Sequence, residues 1–326
     1  MSNLIPELSF KEIEKGDLTS INLLKEALSN HGFFSITEHD LSKDLVNNCY
    51  KSSKAFFDLD YETKSIYSSV GSKGARGYTP KGIETAVGEK IADQKEFWHH
   101  GPIIDDTYDK KIPKNLTIEQ IPEFNNHFDN LYKELHKIGS RVLSVIAMSL
   151  DIDKNYFDSW VEKGNSLLRS IHYPPVESKS NLHRARAHED INLITLLIGA
   201  EEGGLEVLNK DGSWIKVAPS SDAIVCNIGD MMQLVTDKKL KSTTHRVIQD
   251  EIAESKARYS IPFFLHPAPS INLKSIFKED DKGILADDFL DQRLKEIKLY
   301  WYGYKHSNTN NYWFCWINYH SYAIFR

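Results

Sequence analysis

The sequence predicts an α+β protein, with helices first and then a single β core of the sandwich or barrel kind. Two features carry that expectation. Apolar residues recur at helical spacing in the first third of the chain and again from Ile118 to Leu150, whereas residues 167–267 break into short β-type runs separated by turn residues. Composition agrees with a folded globular chain. Of 326 residues, 40% are hydrophobic and 26% charged, which argues against disorder, a collagen-like repeat or a disulfide mini-scaffold.

Ser20–Asn30 places Ile21, Leu24 and Leu28 on one helical face and stops near Gly32, a suitable C′ residue. Ser42 is positioned to cap a second helix that carries Leu45, Cys49, Ala55 and Phe56 inward. Between them, Gly32–Thr37 has the pattern of a short strand. Gly71, Gly74, Gly77, Gly82 and Gly88 crowd one stretch and predict a mobile loop, suited to closing over a ligand. Phe128, Leu131, Leu135, Ile138, Val142 and Ile146 then form one apolar stripe. The β-type runs follow at Leu167–Tyr173, Asn192–Ile198, Gly204–Leu208, Trp214–Val217, Ala223–Asn227 and Tyr259–Leu265, with Asn209–Gly212 as a hairpin signal. Asp288–Ile297 is an amphipathic helix. No internal repeat of fixed period is present.

Forty basic residues stand against 46 acidic ones, a net charge of −6 without a basic block, so nucleic acid is not an expected partner. Cys49, Cys226 and Cys315 lie far apart with no CxxC pair, which fits a reducing cytoplasm. The N-terminal residues lack a secretory pattern. The longest near-apolar stretch, Ile191–Ala200, is about half the ~20 residues of a membrane helix. A cytoplasmic protein with a small-molecule substrate is expected, with neither nucleic acid nor membrane as partner. The sequence leaves its oligomeric state unknown.

His188-Glu189-Asp190 and, 57 residues later, His245 carry the first chemical signal. Residues i and i+2 at a strand end share a side, and a distant strand can add a second imidazole. Two imidazoles and a carboxylate are the ligand set of non-haem Fe(II) oxygenases, which leaves open positions on the metal. On spacing alone a polar surface turn explains His-x-Asp better, since a chain with 13 histidines meets that pattern by chance. Context shifts the balance, because Arg258-Tyr259-Ser260 opens a later strand and can aim a guanidinium and a hydroxyl at one carboxylate. Tyr173 ends another strand and can point the same way.

With those residues in place, the chain resembles the isopenicillin-N-synthase-like group of 2-oxoglutarate/Fe(II)-dependent dioxygenases. The resemblance runs through Tyr173-Pro-Pro175, His188-Glu-Asp190, Gly203–Leu208, Asp211–Val217, Val225–Asp230, Lys241–Val247, Arg258-Tyr-Ser260 and Pro262–Pro267. Upstream it includes His31–Phe34, Arg76–Tyr78 and Asp93–Phe97, and it spans residues 4–299 in all. It implies a double-stranded β-helix (jelly-roll) core with flanking helices. It implies one oxygenase domain over 1–299, mainly helical over 1–165, with the jelly-roll over 166–270 and a C-terminal helix within 271–299. His188, Asp190 and His245 would hold Fe(II). Arg258 and Ser260 would bind the C5 carboxylate of 2-oxoglutarate, and Tyr173 would add a hydrogen bond. Dioxygen would be the oxidant, and hydroxylation of a small molecule the commonest outcome. Two alternatives stay open: an Fe(II) oxidase working without 2-oxoglutarate, as isopenicillin N synthase and aminocyclopropane carboxylate oxidase do, and a metal-free jelly-roll used for binding.

Ile171 stands where many plant members of the family carry Asn, a departure that bears on one cosubstrate contact and leaves the metal ligands untouched. Glu189 replaces the frequent Thr and should point away from the metal. Arg169, Arg184 and Arg186 are candidates to receive a substrate carboxylate, with pairing to nearby acids as the ordinary alternative. Trp98, His99 and His100 are candidates for the substrate side. Residues 300–326 depart from the family pattern and hold 11 of the 36 aromatics. Translation outside the ancestral frame accounts for them better than an aromatic flap does.

Overall fold

A computed structural model describes residues 5–68, 75–84, 93–175, 184–199, 203–248 and 257–296. Gly71, Gly74 and Gly88, the acidic pair Glu201–Glu202 and the aromatic stretch 300–326 lie outside the described residues. In chain order the first half contains β1 (Glu7–Ser9), α1 (Phe10–Glu14), α2 (Leu18–Asn30), β2 (Phe33–Thr37), α3 (Lys43–Phe57), α4 (Tyr61–Ile66), β3 (Gly77–Thr79), β4 (Glu96–His100), α5 (Phe124–Ser149) and α6 (Asp158–Val161). The second half runs β5 (Leu167–Tyr173), β6 (Ala185–His188), β7 (Ile194–Ile198), β8 (Leu205–Leu208), β9 (Trp214–Lys216), β10 (Ile224–Ile228), α7 (Asp230–Val235), β11 (His245–Val247), β12 (Arg258–Leu265), β13 (Asn272–Leu273), β14 (Ile284–Leu285) and α8 (Ala286–Glu296).

Capping side chains set the early helices. Asp17 accepts from Ser20 N at 2.7 Å, so α2 begins at Leu18, two residues before the apolar pattern suggests. Ser42 caps α3 through Leu45 N. Gly32 has φ +64° and bonds back to Ala27 O, closing α2 in a left-handed turn into β2. A Cβ on Gly32 would lie 2.0 Å from Lys241 O, so the site excludes every side chain. α5 begins at Phe124 rather than Ile118. Pro122 disfavours helix before it, and Asn125 bonds the Ile118 N–H and the Leu116 carbonyl locally.

Two sheets build the core. An eight-stranded sheet has the order β1-β2-β10-β7-β12-β5-β4-β3, and a four-stranded sheet has the order β6-β11-β8-β9. This is the jelly-roll. The larger sheet is covered on both faces, which is why β7 and β10 read as near-continuous apolar runs. Its outer face packs on Leu131, Leu135, Ile138 and Val142 of α5. Its inner face meets the smaller sheet through Ile171, Tyr173, Leu205, Val207 and Val247. The hairpin at 209–212 joins β8 to β9 as its turn residues predict, with Leu208 opposite Trp214.

The structure adds detail at both ends. Besides its helices and the foreseen strand β2, the part before residue 165 supplies β1, β3 and β4 to the large sheet. Every residue of β4 is buried, so its sequence shows no alternation to mark it as a strand. At the other end, residues 271–285 form the short β13–β14 ladder, and within 271–296 helix occupies only Ala286–Glu296. Among the described residues, no helix is long and apolar enough to cross a membrane.

Candidate metal centre

β6 and β11 are antiparallel, with His188 directly opposite His245. That register sets their rings side by side, centroids 4.4 Å apart. Asp190 returns to the same point, its Oδ1 lying 3.9 Å from His188 Nε2 and 3.8 Å from His245 Nε2. The three donor atoms lie within 4.8 Å of one another, the one cluster of this kind among the described residues.

Neighbouring groups orient each donor. His188 Nδ1 is 2.6 Å from Arg186 O and His245 Nδ1 is 3.1 Å from Thr243 O, so each Nδ1 carries the proton and each Nε2 presents a lone pair. Asp190 Oδ2 accepts from Thr195 Oγ1 at 2.6 Å and Asn227 Nδ2 at 2.8 Å, which leaves Oδ1 to the imidazoles. Burial raises the Asp190 pKa, but His245, His188, Asn227 and Thr195 together hold it below the ordinary carboxylate value. Enclosure and the neighbouring His245 ring push His188 down to about 4. The donors are thus a carboxylate oxygen and two imidazole Nε2 atoms turned to one point. That set fits Fe(II) with vacant positions left for other ligands. Glu189 accepts from the Thr244 hydroxyl, so its carboxylate ties the two ligand-bearing segments together.

The triad lies on a cavity of about 420 Å³ between the sheets. Arg258 on β12 sits opposite Tyr173 on β5, its guanidinium 5.3 Å from the tyrosine ring, and Ser260 sits opposite Ile171. Arg258, Ser260 and Tyr173 line the same cavity as the triad, with Ile171, Leu205 and Val247 as apolar wall. All six residues singled out by the sequence therefore share one chamber.

The remaining candidates divide. Arg169 lines the cavity and pairs with Glu84 at 3.1 Å. Among the described residues, Arg184 and Arg186 are not part of its lining; Arg184 is buried, and Arg186 Nε lies 3.8 Å from Asp93. Of the run 98–100 only His99 faces the cavity. Alternation along β4 turns Trp98 onto Phe56 and Phe124, and His100 onto Asp129 at 2.7 Å. Sequence inspection missed Thr195, Asn227, His266, the Glu84–Lys95–Asp93 cluster, and Leu290, Arg293 and Leu294 of α8, all at the site. The available signal was a polar residue inside an apolar strand, as at Thr195 and Asn227.

A jelly-roll with two histidines and an aspartate converging between its sheets has the architecture of a non-haem Fe(II) oxygenase. Comparison with known proteins agrees. The family model for the 2OG-Fe(II) oxygenase superfamily matches residues 164–267, and that for the N-terminal part of non-haem dioxygenases in morphine synthesis matches 5–123. A 2-oxoglutarate-dependent dioxygenase of Didymella fabae is 30% identical over 294 residues, covering 83% of this chain and 88% of the relative. A 2OG-Fe(II) oxygenase family protein of Caulobacter crescentus is 39% identical, with a TM-score of 0.80, covering 91% of this chain and all of that one. A full-length Neurospora crassa protein solved in complex with alpha-KG (2-oxoglutarate) is 28% identical, with a TM-score of 0.79, covering 90% of this chain and 97% of that one.

The chain belongs to the 2-oxoglutarate/Fe(II)-dependent oxygenase family. It is an oxidoreductase whose cofactors are Fe(II), 2-oxoglutarate and dioxygen. That sets aside both the oxidase without 2-oxoglutarate and the metal-free binding module.

Proposed function

We propose that His188, Asp190 and His245 hold the Fe(II), and that Arg258, Ser260 and Tyr173 hold 2-oxoglutarate beside it, for hydroxylation of a small molecule. The convergence of His188 Nε2, His245 Nε2 and Asp190 Oδ1 within 4.8 Å carries the assignment. Bound together, iron and dioxygen supply the oxidising chemistry: 2-oxoglutarate leaves as succinate and CO2, with one oxygen atom in the succinate and the other in the product. The protein's part is orientation. Thr195 and Asn227 fix Asp190, the Arg186 and Thr243 carbonyls fix the imidazoles, and Arg258 offers a planar charged donor to a carboxylate. The apolar wall at Ile171, Leu205 and Val247 excludes water from the chain of the cosubstrate.

Complexes of the Neurospora relative with thymine and with 5-formyluracil support a small-molecule substrate. The net charge of −6 favours that over nucleic acid. We place the enzyme in the cytoplasm, with residues 1–299 as one oxygenase domain. Anaerobic titration with Fe(II) and then 2-oxoglutarate should produce the weak visible charge-transfer band of the chelate. His188→Ala should abolish the band, and Arg258→Ala should shift its midpoint to higher 2-oxoglutarate. A full band in His188→Ala would refute the metal assignment.

A further inference from the structure

Beyond the residues assigned to iron and 2-oxoglutarate, the cavity wall carries two further fixed polar groups, Arg169 and His266. The Arg169 guanidinium on β5 lies 4.3 Å from the ring centre of Phe97 and 5.2 Å from that of Phe264. Its Nε donates to His99 Nε2 at 2.6 Å and its Nη1 to Glu84 at 3.1 Å. Glu84 is held in turn by Lys95 at 2.7 Å, and Lys95 by Asp93 at 2.9 Å. These contacts lock the plane of the guanidinium and leave Nη2 with no partner among the described residues.

His266 follows β12, where residues 258, 260, 262, 264 and 266 alternate onto the cavity face. Its Nδ1 lies 3.2 Å from Phe264 O and so carries the proton. Its Nε2 has no partner among the described residues, although the residue is only 8% accessible. Burial, with smaller contributions from Arg76 and Arg169, holds the imidazole down to about 4 against the Phe264 carbonyl and Asp190, so it stays neutral. One fixed donor on β5 and one fixed acceptor just past the end of the adjacent β12 thus face the same chamber.

We propose that Arg169 and His266 form the specificity face of the substrate site, and that the substrate is a small neutral molecule with a lactam-type edge, its C=O on Arg169 Nη2 and its N–H on His266 Nε2. The proposal rests on the oxygenase assignment above. A carboxylate would satisfy Arg169 but set a second lone pair against His266 Nε2, and Glu84 already balances the Arg169 charge. An edge of adjacent acceptor and donor matches both cavity-facing groups at once. A cavity of about 420 Å³ shared with 2-oxoglutarate keeps the molecule small.

The test uses the anaerobic Fe(II)–2-oxoglutarate complex, titrated with 2-pyridone, N-methyl-2-pyridone and benzoate. Calorimetry and the shift of the visible band report binding. We expect 2-pyridone to bind at least about tenfold more tightly than the other two. His266→Leu should erase the difference between 2-pyridone and its N-methyl derivative, whereas Arg169→Met should weaken both alike. Should Arg169→Met fail to fold, His266→Leu and the methylated ligand still decide the matter. Equal binding of the two pyridones to the native protein, tighter benzoate, or no pyridone binding beside normal 2-oxoglutarate binding would overturn the proposal. Absence of 2-oxoglutarate binding, read in the first step of each titration, would overturn the oxygenase assignment and this proposal with it.

Discussion

Asp190 can serve as a single-oxygen ligand because its other oxygen is already occupied. Thr195 and Asn227 take Oδ2, and the Asp230 N–H bonds the Asp190 carbonyl at 2.7 Å, so carboxylate and backbone are both fixed. Losing such support typically weakens a metal site about 10- to 100-fold. Asn227→Ala should therefore raise the Fe(II) concentration needed for the visible chelate band by a factor in that range, with a smaller effect from Thr195→Val. Unchanged Fe(II) affinity in both would show that Asp190 needs no such support. The ligands themselves were legible in the sequence, because His-x-Asp and Arg-x-Ser are each compact and the strand period places their ends together. Asn227 and His266 were not. They reach the site only through pairing of β10 with β7 and of β12 with β5, which no local pattern states.

Elements were legible where local chemistry decides them. Asp17, Ser42 and Gly32 mark helix ends through bonds to their own neighbours, and the apolar runs from β5 to β12 match the strands closely. β3 and β4 were missed because both are buried on every residue and short. α8 was foreseen as an amphipathic helix, but its task was not. Leu290 and Leu294 line the cavity, and Arg293 binds Asp230 at 2.8 Å, next to the backbone that carries Asp190. α8 thus walls the metal chamber through one ion pair and two leucines. Arg293→Ala should raise amide exchange across residues 286–296 and raise the substrate KM, with 2-oxoglutarate affinity unchanged. Native-like exchange in α8 would mean that apolar packing alone holds it.

At the scale of the whole molecule, burying polar groups among four elements makes stability depend on pH. Glu96 on β4 meets Lys64 of α4 at 2.9 Å, His172 of β5 at 2.8 Å and Tyr78 of β3 at 2.5 Å. Burial alone would raise its pKa, but these three partners bring it down to about 2. The unfolded chain titrates such a carboxyl near 4.3, so the contribution is complete above that pH and is lost as pH falls through the folded value. Its full size is about 3 kcal/mol. His266 has a separate window. Burial lowers it to about 4, whereas the unfolded imidazole titrates near 6.5, so the unfolded chain takes up the proton first and stability declines as pH drops from about 6.5 toward 4. Melting temperature of the metal-free protein, followed from pH 8 to pH 3, should therefore fall in two stages. His266→Leu should shrink the first stage and spare the second, and Glu96→Gln should flatten the second and spare the first. If both variants lose stability in parallel with the native protein at every pH, neither group carries the dependence, and acid unfolding must begin elsewhere in the fold.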